Sequence, residues 1–259
     1  MKLPYYHVDA FTHTLFSGNP AGVCPLETWI SDATLQAIAA ENNVSETAFF
    51  VLKEDYYELR WFSPKMEIDL CGHATLASAH VIFTRLDPSA GSVRFDTKSG
   101  LLSVERKEGV LAMRFPSRPA QPCTVPEKLL TGLKIKPMDV LMARDYLVVY
   151  DSEEEIKMMK PDMNALLELD GLGVIVTAPG RTADFVSRFF APKVGVPEDP
   201  VTGSSHCTLI PYWAEKLGKK KLHTLQLSER GGELFCQDEG DLVEIAGRAV
   251  TYLEGYIYL

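Results

Sequence analysis

RWFSPKMEIDLCGHATLASAHVIFTR, residues Arg60 to Arg85, reads as a strand, a turn and a buried helix. Its opening hexapeptide, Arg60-Trp61-Phe62-Ser63-Pro64-Lys65, returns as Arg188-Phe189-Phe190-Ala191-Pro192-Lys193. Each copy runs into an acidic residue, Asp69 in the first and Glu198-Asp199 in the second. Each then meets a small-residue step, Cys71-Gly72-His73 or Thr202-Gly203-Ser204, and continues into an apolar helix. Motif, order and following helix all recur, which favours a duplicated chain over a chance likeness of two hexapeptides within a single α+β domain.

The helix from Gly72 to Arg85 carries Ala74, Leu76, Ala77, Ala79, Val81, Ile82 and Phe83, and is apolar or small nearly all round. Such a helix is buried on most sides and needs a wrapper. A curved, mostly antiparallel sheet around a central helix, made twice, supplies one. The expected class is therefore α+β with two pseudo-symmetric halves. Each half holds a run of strands interrupted by one apolar helix, 72–85 or 203–217. Pro116, Pro119, Pro122 and Pro126 crowd one short polar stretch and mark the boundary between residues 1–116 and 117–259. The C-terminal strand is free to cross back to the first half.

Outward from the repeat, Leu3–Thr12 reads as a strand and Ser17-Gly18-Asn19-Pro20 as a turn. Ser31 or Asp32 caps a helix from Ala33 to about Asn42, and Asn42-Asn43 ends it. VSETAFFVL, Val44 to Leu52, reads as a strand with Glu46 near its start, and Tyr56–Phe62 pairs with it. In the second half Ser152 caps a helix opening on Glu153-Glu154-Glu155, where carboxylates suit the dipole. Met158-Met159 reads as a core face.

The chain has 259 residues and a formal net charge of −9, with Lys219-Lys220-Lys221 as its one basic run. Nucleic acid is not an expected partner. Five cysteines without a C-x-x-C pair argue against a zinc site or disulfide framework and leave the cytosol as the expected compartment. There is no signal-peptide apolar region and no run long enough to span a bilayer. G-x-G-x-x-G, Walker A and H-E-x-x-H sequences are missing, so no cofactor and no metal is expected.

Chemistry concentrates at the two helix starts. A helix N-terminus offers free N–H groups and partial positive charge, and Gly72 and Gly203 let a ligand approach the backbone. Two such termini facing each other would clamp a small carboxylate-bearing substrate.

SETAFF, RWFSPKMEIDLCGHATLASAH, FFAPKVGVPEDPVTGSSH and Gly18-Asn19-Pro20-Ala21 resemble the phenazine-biosynthesis F-type (PhzF-like) isomerase family. The resemblance implies the fold of diaminopimelate epimerase, with the site in a cleft between two α/β halves. It also implies cofactor-free proton transfer on a small carboxylate-bearing metabolite, and a homodimer. It makes Glu46 of the S-E-T motif the general acid/base. A carboxylate in an apolar strand holds its proton more readily than in water, which suits that task. The competing reading of Glu46 is a surface or capping residue. His73 matches the G-H motif as proton relay or substrate holder; otherwise it is a core histidine satisfied by a carbonyl. Asp199 of the E-D-P motif is the second relay, with helix capping as its rival role. Gly72, Gly203, Ser204 and Asn19 are the expected substrate contacts; capping competes for Ser204 and turn chemistry for Asn19. His80 and His206, on the apolar helices, read as structural.

Leu70-Cys71-Gly72-His73 also resembles the M-C-G-H motif of proline racemase-like enzymes, whose thiol is an acid/base at a helix start. Those enzymes pair it with a second cysteine, and here that position holds Thr202. A two-thiol racemase is disfavoured, while an epimerase or dehydratase working through Cys71 alone stays open beside a purely structural Cys71. A non-catalytic scaffold or metabolite-binding dimer is the reading from another class; it needs none of Glu46, His73 and Asp199.

Overall fold

A computed structural model describes residues 1–259, which form two compact units. One comprises Met1–Arg114 with Ala246–Leu259, the other Phe115–Ile245. The fold is α+β.

The first unit opens with β1 (Lys2–Ala10) and β2 (Asn19–Leu26), then α1 (Asp32–Asn42), β3 (Glu46–Leu52), β4 (Tyr57–Phe62) and β5 (Glu67–Ile68). Helix α2 (Gly72–Val81) follows, with a π turn at Ile82–Leu86, then β6 (Ser92–Thr97), β7 (Gly100–Lys107) and β8 (Val110–Pro116). The second unit holds β9 (Gln121–Pro122), α3 (Glu127–Leu133), β10 (Asp139–Met142), β11 (Tyr146–Val149), α4 (Glu153–Met158) and α5 (Met163–Leu167). It continues through β12 (Val174–Pro179), β13 (Phe185–Phe190), α6 (Gly203–Leu217), β14 (Lys221–Gln226), β15 (Gly232–Asp238) and the greater part of β16 (Leu242–Gly247), whose last two residues belong to the first unit. The last strand, β17 (Ala249–Tyr258), belongs to the first unit and pairs antiparallel with β1 along its length.

The two units repeat one ladder. From β1 the pairings run β1–β2 antiparallel, β2–β3 parallel, β3–β4 antiparallel, β4–β6 parallel and β6–β7 antiparallel. From β10 they run β10–β11 antiparallel, β11–β12 parallel, β12–β13 antiparallel, β13–β14 parallel and β14–β15 antiparallel. The repeated hexapeptides start in β4 and β13. Their arginines make the same fork: Arg60 Nε and Nη2 donate to Glu67 at 2.7 and 3.0 Å, and Arg188 Nε and Nη2 to Glu198 at 2.7 and 2.9 Å. Each guanidinium also lies over the next aromatic but one, Arg60 5.1 Å from the Phe62 ring and Arg188 4.9 Å from that of Phe190. The acidic partners of the repeat are thus Glu67 and Glu198, each four residues before a helix N-cap. Asp69 is not the match that the sequence order suggests, and Asp199 stands where the first copy has Ile68.

Helix α2 is buried from His73 through Val81 except at His80, as its composition requires, and packs against β1, β2, β3 and β17. The α-helical pattern yields to the π turn at Ile82, where the Asp87 N–H reaches back to the Ile82 carbonyl at 2.7 Å. In α6, Pro211 removes the N–H that would meet the Cys207 carbonyl. The Arg118 N–H fills that vacancy at 2.9 Å, so the Cys207 carbonyl keeps a donor.

Helix α1 is capped by Ser31, which accepts from Thr34 N–H, and closed by Asn43 in the left-handed region. Ser152 and Glu155 form a capping box on α4. Met158-Met159 is not a core face: Met159 is buried, but Met158 is 68 % exposed, beyond the reach of the short α4 face. Helices α3 and α5 carry no strong sequence signal; each is under two turns long, and Pro126 caps α3 with no side-chain bond.

Candidate active site

In the first unit the geometry begins with a glycine. At Gly18 φ is +70°, and a Cβ there would sit 2.3 Å from the Ala10 carbonyl. The tight turn this permits delivers Asn19 to the start of β2, opposite Ala10. Parallel pairing sets Ala21 of β2 beside Glu46, the first residue of β3. His73 enters from the first turn of α2, behind the N-cap residue Cys71, whose side chain makes no cap hydrogen bond.

These elements bring four of the expected or rival site residues together. His73 Nε2 lies 3.2 Å from Glu46 Oε2, and Nδ1 lies 3.3 Å from Asn19 Nδ2 and 3.5 Å from Cys71 Sγ. Ser45, which the sequence reading passed over, donates from its hydroxyl to Asn19 Oδ1 at 3.2 Å. That bond orients the amide, so Nδ2 donates to His73 Nδ1. The imidazole proton is then assigned to Nε2, the nitrogen facing Glu46. Nε2 is sealed from solvent, and its approach to the carboxylate is close but too far off line for a formed hydrogen bond.

A carboxylate at this distance would ordinarily favour an imidazolium. Burial wins instead: it pushes His73 down to about 3, because a charged ring would lose its hydration. The pair is therefore a neutral imidazole beside a carboxyl group, not an ion pair. Asn19 is fully buried beneath the ring, with both ends of its amide engaged. Glu46 keeps some exposure, its side chain 17 % accessible.

In the second unit Thr202 is the N-cap of α6 and a hub. Its hydroxyl donates to Asp199 Oδ2 at 2.6 Å, and its N–H donates to Gln226 Oε1 at 2.9 Å. Gln226 Nε2 donates in turn to the Asp199 carbonyl at 2.8 Å. His206 Nδ1–H donates to the Thr202 carbonyl at 2.8 Å, which satisfies one side of a ring that burial pushes down to about 4. Ser204, one residue into α6, accepts from Arg144 Nη2 at 3.0 Å, and the same guanidinium grips buried Asp145. The expected residues Asp199, Gly203 and Ser204 thus share one helix start. Thr202, the motif residue before Gly203, joins them as the N-cap, and Arg144 and Gln226 join from outside any motif.

Both helix starts have the same backbone form. Cys71 has φ −140° and ψ 105°, and Thr202 has φ −116° and ψ 98°. The thiol of the first start is a hydroxyl in the second.

The phenazine biosynthesis-like protein family matches residues 8–255. An uncharacterized isomerase of Pseudomonas aeruginosa is 51 % identical over 259 residues, covering 100 % of both chains. The crystal structure of a PhzF-family phenazine biosynthesis protein from Enterococcus faecalis superposes with a TM-score of 0.98 at 45 % identity, covering 100 % of each chain. A hydroxyproline epimerase from Agrobacterium vitis shares the fold, with a TM-score of 0.64 at 8 % identity over 99 % of this chain and 92 % of its own. No helix is long and apolar enough to cross a membrane.

Proposed function

The chain belongs to the phenazine biosynthesis-like protein family, and on that premise we propose that it is a cofactor-independent isomerase acting on a small carboxylate-bearing metabolite. The observation that carries the reading is the Glu46–His73 pair, 3.2 Å apart around a buried ring; burial favours the neutral form of that ring. Glu46 takes a proton from an activated carbon and returns it elsewhere on the same molecule. Neutral His73, its proton on Nε2, faces the carboxyl group without neutralising it by charge and can close a hydrogen bond to it when substrate is bound. The N–H groups at the start of α2 stabilise negative charge that develops on the substrate. The name isomerase carried by the Pseudomonas relative supports the reaction class.

For Asp199, Gly203 and Ser204 we keep the role that the family motif gives them, relay or substrate contact. Arg144 joins them as a cation suited to a carboxylate. A homodimer in the cytosol completes the proposal; the five free cysteines suit a reducing compartment.

The rival route through Cys71 draws on one observation, the 3.5 Å approach of its thiol to His73 Nδ1. Thr202 at the matching position of α6 argues against a two-thiol racemase. A thermal-shift screen of carboxylated metabolites finds the ligand, since binding raises apparent stability by mass action. Turnover of the hit in deuterium oxide then tests the reaction. Solvent deuterium at one carbon of the product is expected; isomerisation with no exchange under any condition, or no turnover of any hit, would count against it.

A further inference from the structure

One ring nitrogen of His73, the Cys71 thiol and a Glu46 carboxylate oxygen all lie within 4.8 Å of one another. We infer that this cluster is a site for a thiophilic divalent cation of the zinc class, and that such a cation inhibits the protein by occupying its base.

The donor set decides the metal. Sulfur, imidazole nitrogen and one carboxylate oxygen are the ligands zinc takes, three from protein with a fourth position open. Magnesium and calcium want six or more oxygens, and this cluster offers one residue's carboxylate. In a tetrahedral zinc site neighbouring ligand atoms stand roughly 3.3–3.7 Å apart, as the bond lengths require. One ion takes one ring nitrogen. With Nε2 as that ligand, its 3.2 Å to Glu46 Oε2 is already near this spacing, while the Cys71 thiol, 3.5 Å from the opposite nitrogen Nδ1, has to rotate toward Nε2 to close the site.

A second observation points the same way. His73 Nε2 is sealed from solvent, makes no hydrogen bond, and faces Glu46 from a ring on a residue that is 6 % exposed. Charge balance also favours the ion. Binding moves the ring proton from Nε2 to Nδ1, with the Asn19 amide turned so that its oxygen accepts it, and releases the Cys71 thiol proton to solvent; a thiolate and a carboxylate then meet a dication and the buried complex is neutral. The start of α2 opposes a cation, but that term is about 1 kcal/mol or less, small beside three ligand bonds. The sequence hides this site: its ligands come from a strand start and a helix cap, in no metal motif.

The other buried thiols are poor competitors. Burial raises Cys24, Cys236 and Cys207, the last to about 11.

Cobalt(II) titration of the chelator-treated full chain, followed by absorption, tests the site without needing a substrate. A thiolate-to-cobalt charge-transfer band saturating at one equivalent is expected. Cys71→Ser should abolish the band, and Glu46→Gln should weaken cobalt binding at least about tenfold, both with unchanged circular dichroism. A band that survives Cys71→Ser, or no band in the folded wild type up to millimolar cobalt, overturns the site. Should Cys71→Ser fold poorly, undiminished binding by Glu46→Gln overturns it equally. The inhibition rests on the proposed role of Glu46 and is read separately, as loss of deuterium exchange on adding zinc and its return with chelator. Cobalt binding with no inhibition refutes the base assignment and leaves the metal site standing.

Discussion

Ser45 and His73 are coupled through one amide: the Ser45 hydroxyl fixes the Asn19 carbonyl oxygen, and Asn19 Nδ2 then faces His73 Nδ1. The proton of the ring is thereby directed at Glu46. Removing either donor frees the imidazole to adopt the other tautomer.

Asn19→Ala should therefore do two things. It leaves a buried ring nitrogen without its donor, at a cost of about 1–3 kcal/mol in stability. It should also lower kcat by more than it raises KM. Nitrogen NMR of the histidines checks the cause: the wild-type His73 signal should report a protonated Nε2, and the variant a mixture.

Glu46→Gln keeps the shape of the side chain and removes its basicity. We expect kcat to fall by about 10²–10⁴, the usual worth of a positioned acid/base. Deuterium exchange should fall with it, and unchanged exchange would refute the assignment. Iodoacetamide discriminates the thiol route: if Cys71 is chemical, alkylation inactivates the wild type and spares whatever activity Cys71→Ala retains.

Acid should destabilise the fold through buried histidines away from Glu46. Burial pushes His206 and His80 down to about 4, and Arg85 adds to the effect on His80. His206 faces Thr202, Ser205 and the Phe185 ring, and His80 bonds Thr251. Both are neutral when folded and charge near pH 6.5 when unfolded. The stability they contribute is complete above pH 6.5 and is lost as pH falls toward about 4. For His206 the loss is roughly 3 kcal/mol. Urea midpoints measured from pH 7 to pH 4 should fall, and His206→Gln should flatten the slope.

The two forked arginines should not be equal. Arg188 has a side chain 12 % exposed and also donates to the Ile156 and Met159 carbonyls, at 3.0 and 2.9 Å. Arg60 is 22 % exposed, and its further partner is the surface carboxylate of Asp32. Arg188→Lys should cost about 2–4 kcal/mol, because a point charge cannot serve the fork and both carbonyls. Arg60→Lys should cost about 1 kcal/mol. Thermal unfolding of the two variants orders them.

What the sequence makes legible follows range. Helix α2 is readable because a run that is apolar on every side has no other home. The repeat is readable because Arg60 and Arg188 need the same fork and carry the same neighbours. Glu46 and His73 stand out as candidates through local motifs, and the fold places them side by side. Arg144 and Gln226 lie in no motif, and the roles of Ser45 and Thr202 are hidden although the motifs contain them, because the partners are distant in the chain: Ser45 meets Asn19, Arg144 meets Ser204, and Gln226 meets Thr202. Nothing local marks a residue whose partner arrives from a strand many residues away. The pairing of Asp69 with the second acidic copy fails for a related reason. Proximity in sequence suggested it, whereas the guanidinium geometry selects Glu67.

The pairing of β17 with β1 sets an order of events during synthesis. Residues of Phe115–Ile245 are contiguous and can collapse as soon as they leave the ribosome. The first unit cannot: β1 waits for Ala249–Tyr258 to cover its edge. Until β17 is made, β1 therefore carries one open row of backbone donors and acceptors. The unit that gathers Glu46 and His73 is completed only after Phe115–Ile245 has been made, and it is there that a nascent chain would most need a chaperone.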